Sequence, residues 1–109
     1  MDVVINRFEV FLVNLDPTLG SEIMKTRPCV IISPDSMNKY LGTILIAPMT
    51  STIRNYPTRL NCTFENKHGQ IALDQIRAVD KIRIGNKLGV FEEKFNKEIC
   101  DRLQTLFEY

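Results

Sequence analysis

The 109-residue sequence contains no tryptophan and a single histidine, His68. An active site that uses two histidines as general acid and base therefore cannot be built from one copy of the chain. His68 precedes Gly69 in a stretch, residues 66–69, whose composition is typical of a turn. We interpret His68 as a solvated loop residue rather than as a catalytic group.

Cysteine and metal-binding patterns are also sparse. Cys29, Cys62 and Cys100 lie in apolar stretches without Cys-x-x-Cys spacing, which favours buried thiols over disulfides, metal ligands or nucleophiles. Asp74 and Asp80 are neighbouring carboxylates in the middle of the chain, but no histidine or cysteine cluster accompanies them. A Gly-rich phosphate loop and a G-x-S-x-G motif are missing as well. We therefore expect neither a metal site nor a cofactor.

The sequence has no run of about eighteen apolar residues, the length that a membrane-spanning helix needs. Its amino terminus lacks the basic and then apolar pattern of a secretion signal. We therefore expect a cytoplasmic protein with no membrane contact. The length and the hydrophobic fraction of 44% predict a single domain over residues 1–109, small enough to benefit from an oligomer interface.

The net charge of +1 is distributed unevenly along the chain. Residues 92–109 contain three basic and five acidic side chains, which leaves a balance of +3 over the first 91 residues. The basic residues of this first part cluster in predicted loops: Lys25, Arg27, Arg54, Arg59, Arg77, Lys81, Arg83 and Lys87. Local positive patches on a near-neutral chain suit a short single-stranded nucleic acid better than a long duplex. The alternative is that these residues form ordinary solvated faces.

Short apolar and alternating runs predict a mainly β fold. We expect strands at residues 8–15, 29–32, 43–46, 58–64, 70–73 and 76–79, and a short helical segment at 34–40. From residue 92 apolar side chains recur every three or four positions, which predicts an amphipathic helix over about 92–107. Many short strands followed by one helix indicate an antiparallel, barrel-like sheet with a carboxy-terminal helix.

The segment between the first two predicted strands is long and charged. It carries Asp16, Glu22, Lys25 and Arg27, and it exceeds the roughly two to five residues of an ordinary hairpin loop. Long loops inside compact domains are usually functional. Pro28 biases Arg27 toward an extended backbone, so the guanidinium group is presented at the entrance of a strand.

Three blocks of this sequence together resemble the MazF/PemK/Kid family of toxin ribonucleases. The blocks are Asp16-Pro17-Thr18, Gly20-Ser21-Glu22 and Arg27-Pro28 with residues 30–33, then residues 47–51, then residues 74–77 followed by Asp80. With the carboxy-terminal amphipathic segment, the resemblance covers nearly all of the chain. It implies an SH3-like antiparallel barrel, a homodimer, and a cognate antitoxin whose disordered tail covers the RNA groove.

The residues in these blocks could cleave single-stranded RNA without a metal ion. RNA supplies its own nucleophile, the 2′-hydroxyl, so the protein must align it, stabilise the phosphorane and move two protons. Arg27 is the first candidate for charge stabilisation, because its planar fork can bind two phosphate oxygens. Glu22 could accept the 2′-hydroxyl proton, and Thr50 could donate a hydrogen bond to a phosphate oxygen or to the leaving 5′-oxygen. The resemblance implies the same assignment for Arg27 and Thr50, and the products would be a 2′,3′-cyclic phosphate and a 5′-hydroxyl.

Other polar residues in or near these blocks are predicted to contact RNA. They are Ser21, Lys25, Ser51, Arg54, Asp74, Gln75 and Arg77. Ser21 stands where Kid-like members have histidine, and Ala72 stands where they have arginine, so a Kid-type pairing of histidine and aspartate is not expected. Phe8 stands where the family often has glycine, at the start of the first strand.

Three other interpretations stay open at this point. Arg27 could form a structural ion pair with Glu22 or Asp16 across the loop, and Thr50 could be an ordinary strand-end residue. CcdB-like gyrase inhibitors share the implied fold and antitoxin partnership, but they act by binding through a carboxy-terminal tryptophan tail that this chain lacks. A structural SH3-like interaction module is the third interpretation, and it leaves the loop charges unexplained.

Overall fold

Seven β-strands and two α-helices form the computed structural model, which describes residues 4–109. The strands are β1 (Glu9–Asn14), β2 (Thr26–Ile31), β3 (Thr43–Thr50), β4 (Arg59–Phe64), β5 (Lys67–Ala72), β6 (Arg77–Asp80) and β7 (Ile84–Val90). The helices are α1 (Asp35–Tyr40) and α2 (Glu93–Leu106), and two single 3-10 turns cover Leu73–Gln75 and Lys81–Arg83.

The strands form one curled antiparallel sheet in the order β4-β5-β3-β2-β1-β7, with β6 also paired to β3. Strand β3 is the centre of this arrangement. Its first part pairs with β6, its middle with β2 and its last two residues with β5. The sheet curls into a half-barrel, and α2 follows the last strand. The predicted fold class, an antiparallel barrel-like sheet with a carboxy-terminal helix, is confirmed.

The middle of the sheet is buried on both faces. One face contributes Phe11, Val13, Cys29, Ile31, Ile44 and Ile46 to a core cluster. The opposite face contributes Val10, Val30, Ala47, Leu60 and Ile71 to a second cluster, which also contains Ile99 of α2. Because successive strand residues point to opposite faces, burial on both sides explains why the central strands are continuously apolar rather than alternating.

Helix α2 matches the predicted range 92–107 to within one residue at each end. Its apolar spacing was a strong signal because Ile99 is fully buried and Phe95 and Leu103 pack beside it. Cys29 and Cys62 are buried, Cys100 is partly buried, and all three are free thiols, as predicted. Among residues 4–109 no helix is long and apolar enough to cross a membrane.

The interpretation of residues 66–69 as a turn is wrong. The β4–β5 hairpin turns at Glu65 and Asn66, whose φ angles are 51° and 64°, and β5 already begins at Lys67. A two-residue hairpin loop with positive φ at both positions matches the twist of the strands, and asparagine tolerates that conformation. His68 is therefore a strand residue, although it is exposed as expected.

Three other strands differ from the prediction. Strand β2, predicted at residues 29–32, begins at Thr26 and ends at Ile31. Strand β3 continues four residues beyond the predicted end at residue 46, because Pro48 lies where the strand changes partners from β2 to β5. Strand β7 was not predicted, because Gly85 and Gly89 interrupt its apolar pattern and its pairing with β1 is irregular in register.

Candidate functional site

Strand register brings Arg27 and Thr50 together. Strands β2 and β3 pair Cys29 with Pro48 and Val30 with Ala47. This ladder ends at Cys29 and Pro48, and its extension by two residues would set Arg27 opposite Thr50, on the same face of the sheet. Both residues line one cleft. The two residues that sequence reasoning ranked first for catalysis are therefore neighbours on adjacent strand ends.

The same face continues across the next two strands. Thr50 of β3 pairs with Gln70 of β5, and Gln70 pairs with Asn61 of β4. Arg27, Thr50, Gln70 and Asn61 thus form one cross-strand row of polar side chains. The middle of the sheet is apolar, so this row makes the end of the half-barrel that carries Thr50 its polar end.

Thr50 is held firmly in this row. Its side chain is buried, with 8% of the residue exposed, and its hydroxyl oxygen accepts a hydrogen bond of 3.1 Å from the Thr52 amide. The hydroxyl proton stays available for a ligand. A Cβ atom added at Gly69 would lie 2.6 Å from the Thr50 carbonyl oxygen, so only glycine lets β5 approach β3 this closely.

Arg27 is presented to an open cleft of about 220 Å³. The cleft is lined by Arg27, Pro28, Met49, Thr50, Ser51, Phe64, Lys67, His68 and Gln70, among others. The Arg27 Nε atom donates to the Met24 carbonyl at 3.1 Å, which orients the guanidinium group. Its two terminal nitrogens make no hydrogen bond within residues 4–109, so they can bind a ligand such as a phosphate.

The alternative in which Arg27 pairs with a loop carboxylate is not supported. Within the described part of the chain, Arg27 forms no ion pair with Glu22 or Asp16. The Asp16 carboxylate instead accepts the Lys25 amide at 3.0 Å, and the Glu22 carboxylate accepts the Leu19 amide at 2.6 Å. Both acidic residues shape the backbone of their own loop.

Glu22 lies apart from Arg27 and Thr50. It lines a second depression, of about 400 Å³, together with Ser21, Asp74, Gln75 and Arg77. The residues predicted for the site therefore fall into two groups. One, with Arg27, Thr50 and Ser51, lies at the strand ends; the other lies on and beneath the β1–β2 loop.

Side chains from other parts of the chain fix the β1–β2 loop. Gln75 accepts a 2.7 Å hydrogen bond from the Ile23 amide and donates to the Ser21 carbonyl at 3.4 Å. Arg77 donates to the Leu15 carbonyl at 3.1 Å, and Arg83 donates to the Asn14 and Asp16 carbonyls. Gln75 and Arg77 were predicted to contact RNA; in this structure each makes hydrogen bonds to the loop backbone.

Asp74 is engaged by Arg59. The Arg59 Nε and Nη2 atoms donate to the two Asp74 carboxylate oxygens at 2.7 and 3.2 Å, and the Thr58 hydroxyl donates at 3.1 Å. Partial burial raises the pKa of Asp74, but the hydrogen bonds from Arg59, its own backbone and Thr58 outweigh this and lower the pKa below its usual value. The RNA contact predicted for Asp74 stays a prediction, while its ion pair ties β4 to the turn after β5.

The remaining predicted residues are accessible. Lys25, Ser51 and Arg54 are exposed, and Lys25 adopts a positive φ of 71°. The backbone of Arg54 is hydrogen-bonded on both sides by the Gln70 side chain. Arg54 is thus fixed through its main chain while its side chain lies at the surface.

Sequence reasoning missed three residues that line the Arg27 cleft: Lys67, His68 and Gln70. The misplaced turn hid Lys67 and His68, because residues 66–69 read as a loop, whereas Gln70 was placed on a strand but not recognised as a site residue. His68 Nδ1 lies 2.9 Å from the Thr63 hydroxyl on the neighbouring strand. A hairpin turn recognised at Glu65-Asn66 is the signal that could have placed Lys67 and His68 on a strand.

The thiol beside this site is not a nucleophile. Burial raises the pKa of Cys29 to about 12, against the lowering effect of the positive charges of Arg77 and Arg27. The thiol is therefore protonated at neutral pH. Within residues 4–109 no three His, Cys, Asp or Glu side chains come together in a group that could hold a metal ion.

The sequence-family model that describes PemK-like, MazF-like toxins of type II toxin-antitoxin systems matches residues 6–107 of this chain. The chain belongs to this family. The endoribonuclease MazF of Staphylococcus saprophyticus is 36% identical over 99 residues, which cover 85% of this chain and 82% of that protein. The resemblance stated from the sequence blocks is confirmed, and the CcdB-like alternative is not favoured.

Solved structures of the same family share the fold. MazF from Deinococcus radiodurans superposes with a TM-score of 0.86 at 24% identity, covering 99% of this chain and all of that one. A mycobacterial endoribonuclease in complex with its cognate antitoxin superposes with a TM-score of 0.77 at 22% identity, covering 92% and 91% of the two chains. These likenesses establish the curled sheet and the carboxy-terminal helix as the family's architecture.

Proposed function

We propose that this protein is an endoribonuclease that cleaves single-stranded RNA at the Arg27–Thr50 cleft. The observation that carries the proposal is that one open cleft is lined by the Arg27 guanidinium group, whose terminal nitrogens form no hydrogen bond within residues 4–109, and by the buried Thr50 hydroxyl. Membership of the toxin family and the 36% identity to an endoribonuclease support it. Type II toxins that cut messenger RNA stop translation and growth, and such a toxin would act in the cytoplasm.

The proposed reaction needs no metal ion, because RNA carries its own nucleophile. The 2′-oxygen attacks the adjacent phosphorus and loses its proton, the bond from phosphorus to the 5′-oxygen breaks, and the 5′-oxygen takes a proton from solvent. A 2′,3′-cyclic phosphate and a 5′-hydroxyl result. Arg27 neutralises two phosphorane oxygens as negative charge develops. The Thr50 hydroxyl, which donates no hydrogen bond within residues 4–109, donates to a non-bridging or leaving oxygen.

Glu22 is the proposed acceptor of the 2′-hydroxyl proton. One of its carboxylate oxygens holds the Leu19 amide, so the other is the candidate base. Because Glu22 lines the neighbouring depression, RNA would have to lie across both depressions for this carboxylate to reach the ribose. This role therefore depends on the position of the β1–β2 loop in the RNA complex.

The proposed RNA path runs between the exposed cations. Lys25 lies on the β1–β2 loop and Arg54 on the β3–β4 connection, so two different loops carry an exposed cation. Contacts from cations to phosphates set affinity rather than sequence preference, and they weaken as salt rises. Ser21, Ser51, Gln75 and Arg77 remain proposed contacts at the edges of the two depressions.

Incubation of the purified protein with a single-stranded RNA in EDTA tests the proposal. We expect fragments with a 2′,3′-cyclic phosphate or 3′-phosphate and a 5′-hydroxyl, identified by mass spectrometry. An Arg27→Ala preparation serves as the control for contaminating nuclease. Cleavage that is abolished by EDTA and restored by magnesium would contradict the mechanism, and absence of cleavage in both buffers would contradict the function.

We also propose that an antitoxin controls this protein. An acidic, partly apolar tail that orders on binding would compete with RNA for Arg27 and Arg54. Titration of the cognate tail against a fluorescent, uncleavable RNA should release the RNA, and both complexes should weaken with rising salt. Simultaneous binding without mutual weakening would contradict steric competition. The proposed homodimer predicts a mass in sedimentation equilibrium of twice the monomer's 12.6 kDa.

A further inference from the structure

The amide of Gln70 is buried in the polar row of the candidate site. The residue is only 3% exposed, and it lies directly opposite Thr50 in the β3–β5 ladder. A buried amide is costly unless its donors and acceptor are paired. Both Nε2 protons and the Oε1 atom of Gln70 have hydrogen-bond partners, so the buried amide is fully satisfied within the protein.

The partners of Gln70 show what the amide holds. Its Oε1 atom accepts from the Arg54 amide at 3.0 Å, and its Nε2 atom donates to the Arg54 carbonyl at 3.0 Å. The second Nε2 proton goes to Asn61 Oδ1 at 2.8 Å. The side chain thus forms the same pair of N–H and C=O hydrogen bonds with Arg54 that a neighbouring strand would form. The hydrogen bond to Asn61 fixes the orientation of the amide.

The connection between β3 and β4 has few other anchors near Arg54. Residues 51–57 are all exposed. Within the described chain, the hydrogen bonds to Gln70 are the only ones made by the backbone of residues 53–55. Thr52 is bonded to Thr50, while Tyr56 and Pro57 are bonded to Arg59 and Arg102. Gln70 itself lines the cleft, so these hydrogen bonds hold the Arg54 backbone next to a cleft residue, and the position of Arg54 depends on Gln70.

We propose that Gln70 is a positioning residue that fixes the β3–β4 connection, and with it Arg54, at the edge of the Arg27–Thr50 cleft for RNA binding. This inference rests on the proposed ribonuclease function. Because all of its polar hydrogens are used inside the protein, Gln70 acts through Arg54 and does not itself read a base. Its loss should weaken RNA binding while Arg27 and Thr50, which the β2–β3 register holds, continue to work.

Gln70→Met tests this directly, because methionine keeps the length of the side chain and removes its hydrogen bonds. With a single-stranded RNA substrate we expect KM to rise about tenfold, the size of losing one charge-assisted contact, while kcat changes less than about threefold. Gln104→Met is the matched control, since it makes the same substitution at an exposed glutamine of α2 that forms no side-chain hydrogen bond within residues 4–109. It should leave KM within about twofold of wild type.

A double-mutant cycle distinguishes action through Arg54 from a general effect on the sheet. Gln70→Met should add little to the KM of Arg54→Ala, because both changes remove the same contact. Full additivity of the two effects would overturn the inference, as would an unchanged KM or a fall in kcat alone. Thermal unfolding of each variant checks that the comparison is between folded proteins.

The wild-type protein offers a test that needs no variant. The Arg54 amide should exchange with deuterium more slowly than the amides of Ile53 and Asn55, because Gln70 accepts it. Equal exchange at the three positions would overturn the inference even if Gln70→Met fails to fold. Absence of RNA cleavage by the wild-type protein would instead count against the proposed function, which keeps the two failures distinguishable.

Discussion

The two parts of the candidate site are positioned by different means. Arg27 and Thr50 stand at strand ends, where the backbone register of β2, β3 and β5 determines which residues face each other. Ser21 and Glu22 stand on a long loop that is fixed by side chains, chiefly the Gln75 amide and the Arg77 guanidinium group. Register is set by the whole sheet and is hard to shift, whereas a loop held by a few hydrogen bonds can move when a ligand binds.

The comparison suggests a division of roles. Transition-state stabilisation requires groups that are already in place, because reorganisation during the reaction cancels the gain. Arg27 and Thr50 meet that requirement. The loop residues suit substrate recognition and closure, which tolerate and often require movement, and the role proposed for Glu22 as a base depends on that closure.

Arg27→Ala should have the largest effect on turnover. Loss of a charge-stabilising donor should lower kcat by roughly two orders of magnitude or more, with the fold intact, because Arg27 forms no ion pair within residues 4–109. Single-turnover cleavage of a fluorescent RNA measures the change. Ser21→Ala is the comparison on the loop side, and an equal or larger loss of kcat there would break the division between strand ends and loop.

Gly69→Ala should disturb Thr50 without touching any reacting group. The added Cβ would lie 2.6 Å from the Thr50 carbonyl oxygen, so the strands must separate. We expect stability to fall by about 1–3 kcal/mol and kcat to fall about 10- to 100-fold through misplacement of Thr50. Urea unfolding and turnover at saturating RNA measure the two effects.

Gly42→Ala is the control for Gly69→Ala. A Cβ atom at Gly42 meets nothing within 4 Å, so neither stability nor turnover should change appreciably. A Gly69→Ala protein with wild-type stability and wild-type kcat would show that the close approach of β5 to Thr50 does not matter for the site.

Thr50→Val should lower kcat less than Arg27→Ala does, and should not exceed the loss caused by Gly69→Ala. Valine keeps the shape and the β-branch but cannot donate a proton, so we expect kcat to fall about tenfold while the affinity for uncleavable RNA changes little. The measurement pairs single-turnover rates with fluorescence titration. Equal losses in rate and affinity would argue against a role for Thr50 in the transition state.

Asp74→Asn should affect stability and leave turnover nearly unchanged. The pKa of Asp74 is lowered in the folded protein, so its carboxylate stabilises the fold above its unfolded pKa, and this stabilisation is lost as pH falls through the folded value. The variant should therefore be less stable than wild type at pH 7, and the difference should shrink below about pH 4. Urea unfolding at several pH values measures this. A marked loss of RNA binding at pH 7 would instead favour the predicted RNA contact.

The sequence was most informative where local chemistry decides the structure. Arg27 could be found because a charged residue before a proline opens an apolar run, and helix α2 because its apolar spacing is regular. The hydrogen bonds by which Gln70 and Gln75 hold distant backbone could not be predicted. A glutamine that binds a backbone 16 or more residues away has the same local sequence as one in solvent. Residues 66–69 were misplaced because Asn66 and Gly69 both favour turns, and only the β4–β5 pairing shows which one turns.

The phosphorothioate effect tests most directly the central claim that Arg27 stabilises the phosphorane at the strand ends. Sulfur replaces one non-bridging oxygen of the scissile phosphate, in each stereoisomer in turn, and single-turnover rates are compared for wild type and Arg27→Ala. We predict that one stereoisomer slows the wild-type enzyme strongly and that this slowing largely disappears in Arg27→Ala, because the contact has already been lost. An equally large effect in both proteins would contradict the account, since it would place the oxygen beside some other group.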